Sequence, residues 1–265
     1  MSLVPELKRI SSQYGFSQSK RLSQSFLSDE RILNREVEHA APYGKTVLEI
    51  GPGFGFLTRM LAAAGAKKVI AVEKDARLIP ILEGELSNFK CIEIVNEDFL
   101  DGNFKADIIV SNVPYAISSP LLFKIAEMKF ERAVLCLQKE FVERMLAKPG
   151  TREYSRLSVT SQAAFKMKLI EKVPRSAFSP QPQVDSAIVE LIPTGEKLSP
   201  KAAKLILHLF QHRKKTLRAA LADAAEELGM AKDEARAAAD RSGIPGRRVF
   251  TLTKDEIVTL ASSLP

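Results

Sequence analysis

The stretch Val47-Leu48-Glu49-Ile50-Gly51-Pro52-Gly53-Phe54-Gly55 decides the fold. Its first four residues read as a strand. Its three alternating glycines read as a sharp turn into a helix, where the backbone can approach a ligand with no Cβ in the way. Outward from it, strand-like and helix-like runs alternate. Strands are expected at 46–50, 68–73, 91–96, 106–111 and 132–138, with helical patterns at Leu57 to Ala64, Leu78 to Leu86, Pro120 to Met128 and Lys139 to Leu146. That alternation makes βαβ units and a parallel sheet, a Rossmann-like α/β fold. Two later strands, at 165–173 and 186–192, flank the proline-rich segment Phe178-Ser179-Pro180-Gln181-Pro182-Gln183 and are expected as an antiparallel edge pair.

A break follows at Pro193-Thr194-Gly195. Ser199-Pro200 then supplies an N-cap serine and a proline at the first helical position. The Ala-rich remainder is helical, interrupted at Gly229 and at Ser242 to Gly246. The expected domains are therefore 1–195, an α/β domain with a basic N-terminal segment, and 196–265, a small all-helical domain.

The chain has 265 residues, 45% of them hydrophobic, enough for a sizeable core. No apolar run is long enough to span a membrane and no secretory leader is evident, so a cytoplasmic protein is expected. Cys91 and Cys136 sit inside apolar runs and read as reduced core residues. The net charge of +7 is concentrated at the ends. Residues 1–24 hold Lys8, Arg9, Lys20 and Arg21 against Glu6, and residues 195–265 hold 13 Lys/Arg against 9 Asp/Glu. A polyanionic partner fits that distribution.

Further signals fall where successive strands end. Glu73 closes the second strand, where a carboxylate can accept both hydroxyls of a ribose; a solvated strand-end charge is the plain alternative. Asp98 follows the third, placed to accept from an adenine amine or to serve as an ordinary turn acid. Asn112-Val113-Pro114-Tyr115 follows the fourth. The Asn112 side-chain oxygen and the Val113 carbonyl can each accept an N–H from a planar amine. Pro114 stiffens the loop, and Tyr115 offers a stacking face. Ligands of open α/β sheets bind along this edge. The pattern points to an enzyme acting on the amino group of a nucleobase. A dehydrogenase shares the glycine turn, but the sheet region offers no histidine as proton donor except His39, ahead of the first strand. Phe178 is a second candidate face for an extruded base, or a loop residue packed on the core.

These residues, with Gln24-Ser25-Phe26-Leu27, Gln138-Lys139-Glu140, Lys148-Pro149-Gly150, Tyr154-Ser155-Arg156-Leu157-Ser158, Phe178-Ser179-Pro180 and Arg213-Lys214-Lys215-Thr216-Leu217, run through nearly the whole chain. In them the chain closely resembles the small-subunit rRNA adenine N6,N6-dimethyltransferases, the KsgA-type family. The resemblance implies a Rossmann-like S-adenosylmethionine-dependent methyltransferase sheet with a small helical C-terminal domain. It implies two methyl transfers to each of two adjacent adenosines near the 3′ end of small-subunit rRNA, during ribosome biogenesis. By family position the donor contacts fall on Gln24, Ser25, Leu27, Gly51, Gly53, Glu73, Asp98 and Asn112, and the chemistry on Asn112, Val113, Pro114, Tyr115 and Phe178. Ser23 and Ser25 stand where the family has Gly and Asn or His, and a serine at 25 reaches less far. Val113, where many singly methylating relatives have Pro, is expected to leave room for a second methyl group.

The basic group His212-Arg213-Lys214-Lys215 with Arg218, expected at the start of a helix, suits phosphate contacts, or forms a solvated helix face. Lys8, Arg9, Lys20 and Arg21 are expected as a flexible second contact. His208 and His212 lack a third ligand nearby, so no metal is expected. The implied partners are small-subunit rRNA and the immature small ribosomal subunit, met by a monomer with no membrane contact. Two other readings stay open: a binding-only assembly factor, and a large-subunit rRNA adenine methyltransferase of the macrolide-resistance type.

Overall fold

The computed structural model describes residues 2–17 and 25–264. The chain packs as two compact units. One is Met1–Val142 with Met167–Pro193, and the other is Glu143–Lys166 with Thr194–Pro265.

The first unit opens with helix α1 (Val4–Gln13), short strand β1 (Phe26–Leu27) and helix α2 (Glu30–Ala40). Then come β2 (Thr46–Ile50), α3 (Phe56–Ala63), β3 (Lys68–Glu73), α4 (Ile79–Leu86), β4 (Ile92–Asn96), β5 (Ile108–Asn112), α5 (Ser118–Glu127), β6 (Arg132–Gln138) and α6 (Lys139–Leu146), whose second half belongs to the other unit. After α7 (Arg156–Ala164) the chain returns as β7 (Phe165–Val173), β8 (Phe178–Ser179) and β9 (Ser186–Pro193).

Seven strands form one sheet in the order β4-β3-β2-β5-β6-β9-β7. From β4 to β6 neighbours are parallel, and β9 lies antiparallel on β6. The two late strands are neighbours at that edge, where the sequence put them. Burial explains the central strands: β2 is buried from Val47 to Ile50 and β6 from Ala133 to Leu137. Continuous aliphatic burial is what a parallel sheet covered on both faces requires. The strand order reverses between β2 and β5, and the ends of those two strands flank this switch point, the natural ligand crevice of an open α/β sheet. Ser111 ties the pair by donating its hydroxyl to the Ile50 carbonyl at 2.6 Å.

The N-terminal segment differs from expectation. Among the described residues it is a packed helix rather than a flexible basic tail. Leu7 and Ile10 of α1 are buried, Glu6 binds Arg59 through two hydrogen bonds, and Arg9 pairs with Glu85 at 2.8 Å. Apolar spacing outweighs charge here. Lys20 and Arg21 lie outside the described residues.

The second unit adds α8 (Pro200–Gln211), α9 (Leu217–Asp223), α10 (Ala225–Leu228), α11 (Lys232–Arg241) and α12 (Lys254–Ser263). Ser199 caps α8, accepting the Ala202 N–H at 3.1 Å. Its core joins Leu205, Leu209, Leu217 and Ile257 with Tyr154 and Val159 from the earlier segment. Tyr154 is fully buried and donates its hydroxyl to the Leu252 carbonyl at 2.9 Å. The helical unit is thus larger than the expected 196–265: it claims residues 143–166, because their apolar side chains are buried among its helices.

Candidate active site

The glycine turn after β2 depends on backbone conformations that favour glycine. Gly51, Gly53 and Gly55 have φ of 72°, 58° and 77°. At Gly53 a Cβ would stand 2.8 Å from the Phe26 ring, so only glycine fits. At Gly51 the nearest neighbour of such a Cβ is the Pro114 ring at 3.8 Å, which brings the glycine turn and the Asn112–Tyr115 loop side by side. Phe16, Phe26, Phe54 and Phe56 form an edge-to-face and stacked cluster on the other side of the turn. No periodicity in the sequence announced that cluster.

Glu73 is buried at the end of β3. One carboxylate oxygen accepts the Gly53 N–H at 3.2 Å and the other the Asp75 N–H at 2.8 Å. Burial nonetheless raises its pKa above the usual carboxylate range. Asp98, just past β4, pairs with the Lys74 ammonium at 2.5 Å and accepts the Leu100 N–H at 3.0 Å. The lysine holds its pKa down. Two supports went unread in the sequence. Asp75 is gripped by Arg77 through two hydrogen bonds, and the Arg77 guanidinium lies 5.3 Å from the centre of the Phe16 ring.

Asn112 is the last residue of β5. Its amide nitrogen donates to a carboxylate oxygen of Glu36 at 3.2 Å. Its amide oxygen is buried and has no hydrogen-bond partner among the described residues. The Val113 N–H donates to the Cys136 carbonyl at 3.1 Å, which anchors the loop to β6. Pro114 is exposed. Tyr115 is half-buried, its hydroxyl 2.7 Å from Ser186 Oγ, and burial raises its pKa. Beneath the loops lie two fully buried carboxyls, Glu36 and Glu49, each pushed up to about 8 chiefly by burial.

Two sequence expectations need adjustment: Phe178 as an open stacking face and the basic group at the start of a helix. Phe178 is 6% exposed and belongs to the hydrophobic core, its backbone paired with Leu27 across β1 and β8, so its ring offers no open face to a base. Leu27 is likewise buried, and Ser25 is half-buried just before β1. Gln24 lies outside the described residues. The basic group does not start a helix: His212 to Lys215 form the turn after α8, and only Arg218 lies in α9. Arg213 is a strut, donating to the Arg152 carbonyl at 2.8 Å and lying 5.6 Å from the Phe250 ring centre. Lys215 pairs with Asp223 and Arg218 with Asp240, whereas Lys214 is exposed. Among the described residues, no three His, Cys, Asp or Glu side chains gather as a metal site would need, and no helix is long and apolar enough to cross a membrane.

A crevice built from a glycine turn, a strand-end carboxylate and a buried amide oxygen suits a nucleoside-bearing cofactor beside a planar amine. The family profile described as ribosomal RNA adenine dimethylase matches residues 15–243. The chain belongs to this family. Its curated relatives include the probable ribosomal RNA small subunit methyltransferase A of Thermococcus kodakarensis, 43% identical over an alignment of 258 residues that covers 95% of this chain and 92% of that one. Among solved structures, a dimethyladenosine transferase from Plasmodium falciparum superposes with a TM-score of 0.81 at 31% identity, covering 89% of this chain and 95% of that one. The 23S rRNA methyltransferase ErmE, also 31% identical, superposes at 0.68 over 90% and 99%. The dimethylase family thus accounts for the Rossmann-like sheet and for the helical unit, since its match runs well into the latter.

Proposed function

We propose that this chain transfers methyl groups from S-adenosylmethionine to the exocyclic amines of two adjacent adenosines near the 3′ end of small-subunit rRNA, giving N6,N6-dimethyladenosine on the immature small subunit. The observation that carries the reading is the Asn112 amide oxygen, a buried acceptor without a donor, set beside the glycine turn. Leaving such a group unpaired costs about 1–3 kcal/mol, which an incoming N–H would recover.

The residues divide the work. Gly51 and Gly53 let the backbone turn sharply against Pro114 and the Phe26 ring, shaping the edge on which a nucleoside would lie. Glu73 presents a carboxylate to the ribose hydroxyls, and Asp98 accepts from the donor's adenine amine, with Ser25 and Leu27 on the flank. What the donor supplies when bound is a methyl group on cationic sulfur, electrophilic enough to need no metal. The target amine is a poor nucleophile because its lone pair is delocalised into the ring. Asn112 Oδ1 and the Val113 carbonyl each accept an N–H, drawing the nitrogen toward a tetrahedral shape with its lone pair free. Tyr115 stacks on the base, and its Ser186 hydrogen bond holds the ring in place. As the nitrogen lone pair forms the new C–N bond, the methyl–sulfur bond would break with its electrons going to sulfur, which leaves as a neutral thioether, and the nitrogen, now a strong acid, yields its proton to solvent. The rate comes from positioning and electrostatics. The helical unit, with Lys214 at its surface, contributes phosphate contacts. The reading carries with it a monomer working in the cytoplasm.

The test is to incubate the protein with radiolabelled S-adenosylmethionine and immature small subunits, then digest the RNA and identify the nucleosides. Labelled dimethyladenosine near the 3′ end is the expected result. Subunit binding without label would replace the reading with that of an assembly factor, and label in large-subunit RNA only would move it to the ErmE-like alternative.

A further inference from the structure

The buried face of α2 reads Ile32, Leu33, Glu36, Ala40. A carboxyl on an apolar helix stripe is costly unless paired. Glu36 is only partly paired. One oxygen accepts from Asn112 Nδ2 at 3.2 Å, and the other has no hydrogen-bond partner among the described residues. The neighbouring titratable groups bring no compensating positive charge: Glu49 on β2 is another buried carboxyl, and Cys136 on β6 is a buried thiol. A group kept at such cost, in contact with the residue at the centre of the chemistry, calls for a functional account.

The two ends of an asparagine amide are almost the same size, and hydrogen bonds alone decide which way it faces. Opposite an accepting carboxyl oxygen, the favourable arrangement turns the NH2 end toward Glu36. The Asn112 oxygen then faces away, buried and open to a donor, as found. Turned round, the amide would present N–H groups to a substrate amine that is itself a donor.

We infer that Glu36 is a positioning residue, holding the Asn112 amide so that its oxygen faces the substrate amine. The inference rests on the methyl-transfer reading above. It separates stability from activity. Replacing a buried carboxyl that has no positive partner relieves its desolvation cost, which at pH 8 outweighs the cost of leaving the Asn112 N–H unpaired. A merely structural Glu36 would lose activity only together with stability.

The experiment compares Glu36→Leu, Glu36→Gln, Asn112→Ala and the Glu36→Leu/Asn112→Ala double variant. It measures single-turnover methyl transfer to immature small subunits, subunit affinity and Tm. Glu36→Leu is expected to keep or raise Tm at pH 8 and to bind subunits within about twofold of the parent. Its transfer rate constant should fall about tenfold to a hundredfold. Glu36→Gln should recover to within about fivefold, because its amide oxygen accepts the same N–H. In the Asn112→Ala background, Glu36→Leu should change the residual rate by less than about twofold, since there is no amide left to orient. A Glu36→Leu rate equal to the parent, a Gln variant as slow as the Leu variant, or losses that multiply in the double variant would each overturn the inference while leaving the methyl-transfer reading intact. Full activity in Asn112→Ala would instead remove the role assigned to Asn112, and the inference with it.

Discussion

At the residue scale, Gly53 and Val113 carry the sharpest consequences. Gly53→Ala would set a methyl group 2.8 Å from the Phe26 ring at a φ of 58°. The ring and the turn must both shift, and the Gly53 N–H then leaves Glu73. The expected cost is about 1–3 kcal/mol of stability, read as a lower Tm, together with donor affinity weakened at least tenfold in calorimetry. An unchanged donor affinity would mean the turn is not the donor cradle. Val113→Pro removes more than room for a second methyl group: it also deletes the N–H donated to the Cys136 carbonyl. The expected outcome is a product ratio shifted from dimethyl- to monomethyladenosine alongside a lower Tm. A normal product ratio would dismiss Val113 as the source of double methylation. Legibility at this scale followed exposure and context. Gly51, Gly53, Glu73 and Asn112 could be read because each closes a strand or lies in the turn just after one. Glu36 could not, because a charged residue in a helix reads as surface until its neighbours are known. Phe178 stays ambiguous in the sequence because its neighbouring prolines suggest an open loop, and its burial in the core bears out the second of the two readings.

At the scale of elements, the sheet strands were legible almost to the residue, because most of them write themselves as short runs of mainly aliphatic residues bounded by turn residues. Helix α1 was not. The spacing of Leu3, just ahead of it, with Leu7 and Ile10 is apolar at helical period, but Lys8 and Arg9 between them read as charge. The turn between α8 and α9 was read for charge as well, and its four basic residues do different things. Arg213→Ala should lower Tm, since the guanidinium braces the carbonyl of Arg152. Lys214→Ala should leave Tm unchanged while reducing the slope of log affinity for RNA against log salt by about one. Identical effects from the two substitutions would refute this division. Helix α7 and the segment before it are held by Tyr154. Tyr154→Phe strands the buried Leu252 carbonyl, so a loss of about 1–2 kcal/mol is expected in urea unfolding, with catalysis on saturating subunits unaffected.

For the whole molecule, the buried carboxyls set a pH dependence that runs against habit. Glu36 and Glu49 titrate at about 8 in the folded chain, against 4.5 when exposed. Between those values the unfolded chain has released both protons and the folded chain still holds them. Folded stability therefore falls as pH rises from about 4.5 to about 8, and levels off beyond. Each carboxyl accounts for on the order of 5 kcal/mol over that window. Glu36→Gln should remove its share, flattening the fall and leaving the variant more stable than the parent at pH 8 but not at pH 5. Equal Tm gains at both pH values would show that Glu36 is not protonated in the folded chain.

The path of the backbone between the two units has a consequence in time. The chain changes unit after residues 142, 166 and 193, so neither unit is a continuous stretch. Tyr154 and its partner carbonyl at Leu252 are 98 residues apart. At a synthesis rate of roughly 5–20 residues per second, Tyr154 leaves the decoding centre about 5–20 s before Leu252 is added. Through that interval the nascent chain carries a helix whose burial site has not yet been translated, and the second unit can close only once α12 has been made.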